Sequence, residues 1–374
     1  MTQIAFRSAK QIFFGSGVRS DLGTHAAQFG ERAQIVCGRT SLQASGALEE
    51  LTHLLNRAGI AVSVFAEVEA EPSLATVERG REAFHREGCE LVVAAGGGSA
   101  LDVGKAIAGL GKQTVPVTHE SEGTDRGLPC IALPTTSGTG AEVTPNSVLT
   151  DTQTGEKSSI RGHALLPEIA LVDPELTVSC PLDQTAYSGL DALTQAIEAY
   201  VSTGANPISD PLARVATVQI AGSLRNAVAD GSDLHAREEM SLGSLLAGLA
   251  LASARLGLVH GLAHPLGSLY HLPHGRVCGA LLPYVVEYNL EAAAEKYADL
   301  ARALGAGESA QSLAEWLRTL VADLDADLDF AEAGLTQNAF DHILPPALSS
   351  GSSANNPRPV DEESVRELLE RLSG

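Results

Sequence analysis

Two hydrophobic rhythms divide the chain. Through the first half, short β-branched and apolar runs alternate with stretches whose apolar positions recur every three or four residues. The runs read as strands and the recurring spacing as amphipathic helices. Strands are predicted at residues 34–37, 61–65, 91–95, 115–118 and 130–133, with helices among them at 46–58 and 74–87. Strand and helix alternating at this pace make a mostly parallel sheet covered by helices on both faces. Ligands of such sheets sit beyond the carboxyl ends of the strands.

Past Asp173 the helical spacing takes over. It predicts helices at 185–201, 210–226, 233–256, through the stretch 257–275, and at 291–304, 312–324 and 361–372. Asp210-Pro211 reads as a helix start, with Asp as N-cap and Pro at the first helical position. Asp361 is expected to cap the last helix, whose Val365, Leu368, Leu369 and Leu372 form one apolar stripe for packing. Glycines, alanines and serines among the leucines of 233–256 suit close helix packing, and SSGSSANNPRP (349–359) reads as a loop. The expected organisation is an α/β domain over residues 1–173 and an all-helical domain over 174–374.

Composition narrows the class. A chain of 374 residues, 44% hydrophobic, can bury two sizeable cores. A formal net charge of -21 argues against nucleic acid or an anionic membrane as partner, since both call for a basic face. The five cysteines, Cys37, Cys89, Cys130, Cys180 and Cys278, are scattered and contain no CxxC. That reads as buried thiols in a reducing compartment rather than disulfides or a zinc–thiolate site. The first residues carry no apolar leader and no stretch reads as a membrane span, so a cytoplasmic protein is expected.

Candidate chemistry lies in four stretches. The strand at 91–95 runs into Gly96-Gly97-Gly98-Ser99, followed by a helix with Asp102 and Lys105. Glycines after a strand let backbone N–H groups approach a pyrophosphate, and the helix N-terminus adds its positive dipole end. A purely structural turn fits the same residues. The strand at 130–133 leads into Pro134-Thr135-Thr136-Ser137-Gly138-Thr139-Gly140. Hydroxyls alternating with glycines again suit phosphate or ribose, and two such loops favour a dinucleotide where their strands are sheet neighbours. Lys157 is a candidate cation for that ligand, or equally a solvated surface lysine. In the second half, Asp191 and Gln195 stand four apart on one predicted helix. GLVHGLAHPLGSLYHLPHG adds His260, His264, His271 and His274, four of the chain's eleven histidines. Imidazole is the commonest metal ligand and the readiest proton carrier near neutral pH. A carboxylate at Asp191 suits a divalent cation beside His260 and His274, although Asp191 equally suits a helix N-cap.

The stretches GGGSALDVGK, PTTSGTGAEVT, GLDALTQAIEAY and VHGLAHPLGSLYHLPHG stand in this order, between FGSGVRSDLG and NPRPV. With them the chain resembles the iron-containing (group III) alcohol dehydrogenase family. The resemblance implies a dehydroquinate-synthase-like fold, with an α/β dinucleotide-binding domain and an all-α catalytic domain. It further implies NAD(P)-dependent interconversion of an alcohol with an aldehyde or ketone, by hydride transfer aided by a divalent metal (Fe²⁺ or Zn²⁺) as Lewis acid, often in a homodimer. Carried over by motif, Gly97, Gly98, Ser99 and Asp102 would meet the cofactor's phosphates and ribose. Thr135, Thr136 and Thr139 would line its adenosine-diphosphate side, with Lys157 near a ribose. Asp191, His260 and His274 would be metal ligands, and His264 a proton-relay group beside the reacting carbon.

Two departures qualify this. The family's helix motif reads DALTH, whereas here the residue four after Asp191 is Gln195, whose amide oxygen is a weaker ligand than imidazole. The site would then hold metal through three strong ligands with Gln195 or water completing it, or through zinc, or not at all, with His271 as a conceivable substitute. At the end of the strand at 34–37, NAD-preferring members often carry Asp, but this chain has Gly38, Arg39 and Thr40. Without that carboxylate and with Arg39 nearby, the 2′-phosphate of NADP is expected to be tolerated. Rival readings are a maleylacetate reductase-like enzyme, a cyclase or lyase on the same fold, and an idle nucleotide-binding protein.

Overall fold

A computed structural model describes residues 4–113, 115–123, 127–153, 155 and 157–374. The chain forms two compact units, one of Arg7–Cys180 and one of Pro181–Gly374 that also takes in residues 4–6.

In the first unit, strands β1 (Gln11–Phe14), β2 (Arg32–Gly38), β3 (Ala61–Val68), β4 (Leu91–Gly96), β5 (Cys130–Pro134) and β8 (Ile169–Val172) build a six-stranded sheet in the order β1-β8-β5-β4-β2-β3. Every pairing is parallel. β6 (Asn146–Thr150) and β7 (Lys157–Arg161) form a separate antiparallel pair. Helices α1 (Leu22–Ala26), α2 (Ser41–Ala44), α3 (Ala47–Arg57), α4 (Leu74–Arg86) and α5 (Gly98–Leu110) connect the strands. β4 is buried along its whole length, which is why its sequence LVVAAG is continuous rather than alternating. α5 lies close against it: a Cβ at Gly104 would stand 2.4 Å from Ala94 Cβ. α4 is capped by Ser73, whose side chain accepts from Thr76 N.

The predicted strands at 34–37, 61–65, 91–95 and 130–133 all form. The one at 115–118 does not. Val115 is 59% exposed, and although Val117 is buried the segment pairs with no strand among the described residues. β1, β8 and the β6–β7 pair were not legible as strands; β1 and β8 are only four residues each. Neighbours supply the ladder that such short runs cannot signal alone.

The second unit is helical: α6 (Leu182–Val201), α7 (Ser209–Ala229), α8 (Leu234–Ala254), α9 (Leu258–Tyr270), α10 (His274–Tyr288), α11 (Ala294–Ala303), α12 (Ala310–Asp323), α13 (Phe340–Ser349) and α14 (Glu362–Leu372). Small residues set the helix spacing, as expected. A Cβ at Gly243 on α8 would lie 2.5 Å from Ile220 on α7, and one at Gly189 on α6 would lie 2.3 Å from Leu224. Asp361 caps α14 in a reciprocal box with Ser364, and Val365, Leu368, Leu369 and Leu372 are all buried. Asp210-Pro211, by contrast, is not the start of α7. The helix begins at Ser209, where Asn206 Oδ1 accepts from the N–H of Ile208 and Ser209, and Asp210 instead pairs with Lys296 at 2.8 Å. The stretch at 257–275 is two helices, broken where His271 takes a left-handed conformation (φ 53°) ahead of Pro273. Among the described residues, no single helix is long and apolar enough to cross a membrane.

Candidate functional site

The two glycine-bearing loops meet within the first unit. β4 and β5 are adjacent, with Gly96 opposite Pro134, so both loops leave the same edge of the sheet. Gly97 is the N-cap of α5, and no side chain caps that helix's first turn. Its leading N–H groups are thus left for a ligand, as anion-binding helix starts require. The loops are close enough that a Cβ on Gly97 would touch the Thr136 side chain at 3.6 Å, and one on Gly98 would press on Thr139 at 2.7 Å. Gly98 thus lets the two loops approach more closely than any larger residue would allow. Thr135 and Thr136 are half-buried and Thr139 is exposed. Ser99 Oγ donates to Ala70 O at 2.7 Å. Gly38 and the exposed Arg39 stand at the carboxyl end of β2, where Arg39 Nε donates to Glu67 O at 3.4 Å. The residues present therefore fit a dinucleotide.

Two predicted contacts are occupied within the protein. Asp102 Oδ2 accepts from Val148 N at 3.0 Å, and its Oδ1 lies 3.2 Å from Lys105 Nζ. Lys157 pairs with Glu71 at 2.5 Å. Lys105, which is fully buried, also donates to Ala141 O (2.9 Å) and Thr144 Oγ1 (3.1 Å), tying α5 to the threonine-rich loop. One turn of that loop buries Glu142, and burial pushes its carboxyl up to about 7 despite Lys105 nearby. A carboxyl raised on folding binds more protons in the native state. Stability from this group is therefore full below about 4.5 and is lost as pH rises to about 7. Glu142→Gln should remove that dependence. Denaturant melts at pH 5 and pH 8 should show the variant gaining roughly 2–3 kcal/mol on wild type at the higher pH; a gap that does not change with pH would reject it.

The second unit gathers a different set. Asp191 and Gln195 lie on consecutive turns in the middle of α6, both 4% exposed, which rules out an N-cap role for Asp191. His260 and His264 lie on consecutive turns of α9, and His274 opens α10. His260 Nε2 stands 3.3 Å from Asp191 Oδ1, and His274 Nε2 stands 3.7 Å from the same oxygen. His264 stacks on His274 with ring centroids 4.9 Å apart. His271 is exposed at the end of α9 and is not part of the cluster, so it does not stand in for a missing ligand.

Two residues beside the cluster, and Asn356 supporting them, were not legible in the sequence. Glu198, two turns along α6 from Asp191, accepts from His260 Nδ1 at 2.5 Å and from Val259 N at 2.7 Å. It orients the imidazole so that Nε2 faces Asp191, the support a metal-bound histidine needs. Asn356 Oδ1 accepts from Leu258 N at 3.2 Å, so it and Glu198 together satisfy the first turn of α9. The second is Cys278, whose Sγ lies 3.5 Å from His274 Nε2. The ligand atoms of Asp191, His260, His274 and Cys278 all fall within 4.8 Å of one another. The i, i+4 spacing of His274 and Cys278 was the available signal; it points to one site only once α10 is placed against α6 and α9.

Electrostatics fit a cation. Burial opposes the Asp191 charge, but the His260 hydrogen bond, the imidazoles and the Gln195 amide hold its carboxyl down to about 2. Burial likewise opposes a charged His260, yet Glu198 and Asp191 raise it to about 10. The two buried carboxylates thus call for a positive charge between them, which a protonated His260 or a bound cation beside neutral imidazoles can supply. Gln195 Oε1 is buried without a hydrogen-bond partner. An anionic oxygen and imidazole nitrogens around one point are a donor set for Fe²⁺ or Zn²⁺.

Loops that fit a dinucleotide and a donor cluster that fits a cation are what a nicotinamide-dependent oxidoreductase assisted by a divalent metal requires. Comparison with known proteins makes the class specific. The sequence profile of the "Iron-containing alcohol dehydrogenase" family matches residues 9–174, and that of the "Fe-containing alcohol dehydrogenase family, C-terminal" matches 185–373. The chain belongs to the iron-containing alcohol dehydrogenase family. It is similar to the 1,3-propanediol dehydrogenase of Klebsiella pneumoniae, at 38% identity over 96% of this chain and 95% of that one. It is 32% identical to the NADPH-dependent butanol dehydrogenase of Clostridium saccharobutylicum, covering 98% and 97% respectively. A crystal structure of a 1,3-propanediol oxidoreductase superposes with a TM-score of 0.95 at 37% identity, covering 99% of this chain and 100% of that one. The α/β unit followed by a helical unit is the family's fold, as the motifs implied. The chain is an enzyme, an alcohol and aldehyde oxidoreductase; relatives named for NAD and for NADPH both occur.

Proposed function

We propose that this enzyme interconverts a short-chain alcohol and its aldehyde with NADP(H), using a divalent cation held by Asp191, His260 and His274. The observation that carries the reading is the convergence of these three side chains, with Glu198 aligning His260 from behind. When bound, the nicotinamide exchanges hydride with the carbonyl carbon and the cation supplies Lewis acidity toward the carbonyl oxygen.

The chain's own residues do the rest. The uncapped start of α5 at Gly97, Gly98 and Ser99 receives the pyrophosphate, with Thr135, Thr136 and Thr139 on the facing loop. Asp102 and Lys105 fix the helix behind it, and Lys157 stands at the edge of the same ligand. Arg39, at the end of a strand that carries no carboxylate there, meets a 2′-phosphate. His264, half-buried and stacked on His274, carries the proton that the substrate oxygen gains or loses. Gln195, one turn from Asp191 on α6, helps hold its carboxyl down. The working form is a cytoplasmic homodimer acting on a small molecule.

The test is NADPH and NADH oxidation by a short aldehyde, with metal per subunit measured on protein purified without chelator. We expect near-stoichiometric divalent metal, turnover lost on EDTA treatment, and a higher kcat/KM with NADPH. Arg39→Asp should reverse that preference by at least about tenfold. Full turnover in metal-free protein would overturn the cation's role, and an unchanged preference in the variant would overturn Arg39's.

A further inference from the structure

We infer that the Cys278 thiolate, rather than the Gln195 amide, is the fourth side-chain ligand of the cation, and that it biases the site toward zinc over iron(II). The inference rests on the cation reading above and deepens it.

Cys278 lies one helical turn beyond His274, so α10 presents both side chains to the same point. It is fully buried, and it is in no disulfide. A buried cysteine is ordinarily a small apolar residue of the core. Here its Sγ is one corner of a cluster that also holds an oxygen and imidazole nitrogens, all within 4.8 Å. Bonds of about 2.0–2.3 Å in a tetrahedron place neighbouring ligand atoms roughly 3.3–3.8 Å apart. Three of the six separations fall in that range, at 3.3 Å for His260 to Asp191, 3.7 Å for His274 to Asp191 and 3.5 Å for Cys278 to His274, and all six are within 4.8 Å.

Gln195 is used differently. It neighbours Asp191 and helps hold that carboxyl down, and its Oε1 is buried without a hydrogen-bond partner. Sulfur also binds more strongly than an amide oxygen to borderline-soft Zn²⁺, while Fe²⁺ gains less from it. An aspartate, two histidines and a cysteine thus form a mixed donor set that prefers zinc.

Zinc X-ray absorption on the metal-loaded full chain reads the ligand directly, without requiring turnover. We expect one sulfur at about 2.3 Å in the wild type and none in Cys278→Ser. Zinc affinity should fall at least tenfold in that variant, and iron(II) affinity by less. Cobalt(II) loading should give a near-ultraviolet thiolate charge-transfer band that the variant lacks. Stoichiometric zinc with only nitrogen and oxygen neighbours would overturn the role of Cys278 while leaving the cation at Asp191, His260 and His274 intact. Wild type that takes up no more zinc than Asp191→Ala would overturn both. The wild-type sulfur shell needs no variant to fold, so a misfolded serine variant does not spoil the test.

Discussion

Asp191→Ala should lose its metal and about a thousandfold in kcat/KM. Asp191 Oδ1 is the one atom that both His260 Nε2 (3.3 Å) and His274 Nε2 (3.7 Å) approach, so without it the imidazoles have no common anionic partner. A Lewis acid contributes several kcal/mol to transition-state charge stabilisation, and each 1.36 kcal/mol is tenfold in rate. Asp191→Asn preserves shape while removing the charge and should fall nearly as far. Metal content and steady-state rates on the same preparations check this. A variant that keeps both stoichiometric metal and rate would place the chemistry elsewhere.

Gly275→Ala should be almost as damaging without touching a proposed ligand. A Cβ there would stand 2.1 Å from Tyr187 O and 2.6 Å from its carbonyl carbon, both backbone atoms of α6 that cannot rotate aside. The first turn of α10 must then retreat from α6 by about an ångström, carrying His274 with it. Misplacement on that scale can reduce the rate about 100-fold, and overpacking removes roughly 1–3 kcal/mol of stability. Gly222→Ala is the control. That position on α7 has nothing within 4 Å of a new Cβ, so the variant should be neutral or slightly more stable. Equal melting temperatures and metal contents in the two variants would mean that close contact between α6 and α10 does not position His274.

Glu198 explains why the site is rigid enough for such sensitivity. Its two oxygens are committed to His260 Nδ1 and to Val259 N, so the same carboxylate fixes a ring and the start of the helix that bears it. Asn356 completes that start from a stretch the sequence presents as loop, SSGSSANNPRP, and is itself tied to Asn289 by a reciprocal amide pair. A polar loop residue that is 4% exposed is a structural part of the site, and nothing in its local composition says so.

Local chemistry was enough for much of the architecture. Continuous apolar runs at β2, β4 and β5, the three-to-four spacing of the helices, the cap at Asp361 and the glycine turn after β4 are all properties of neighbours in the chain. So is the presence of a carboxylate and several imidazoles in the helical half. Their meeting is not. Cys278 read as a buried thiol and Glu198 was not singled out, because an i, i+4 pair or a buried carboxylate has many uses until another helix is packed against it. His271 read as a conceivable ligand but is turned outward by a left-handed residue at the end of α9. Residues 115–118 read as a strand, although a strand needs a partner as well as apolar side chains. Periodicity and turn chemistry act over a few residues and are written in the sequence. The choice of which side chains share a donor cluster depends on contacts such as Gly275 against Tyr187, between residues 88 positions apart (275 less 187), and that only the packed helices settle.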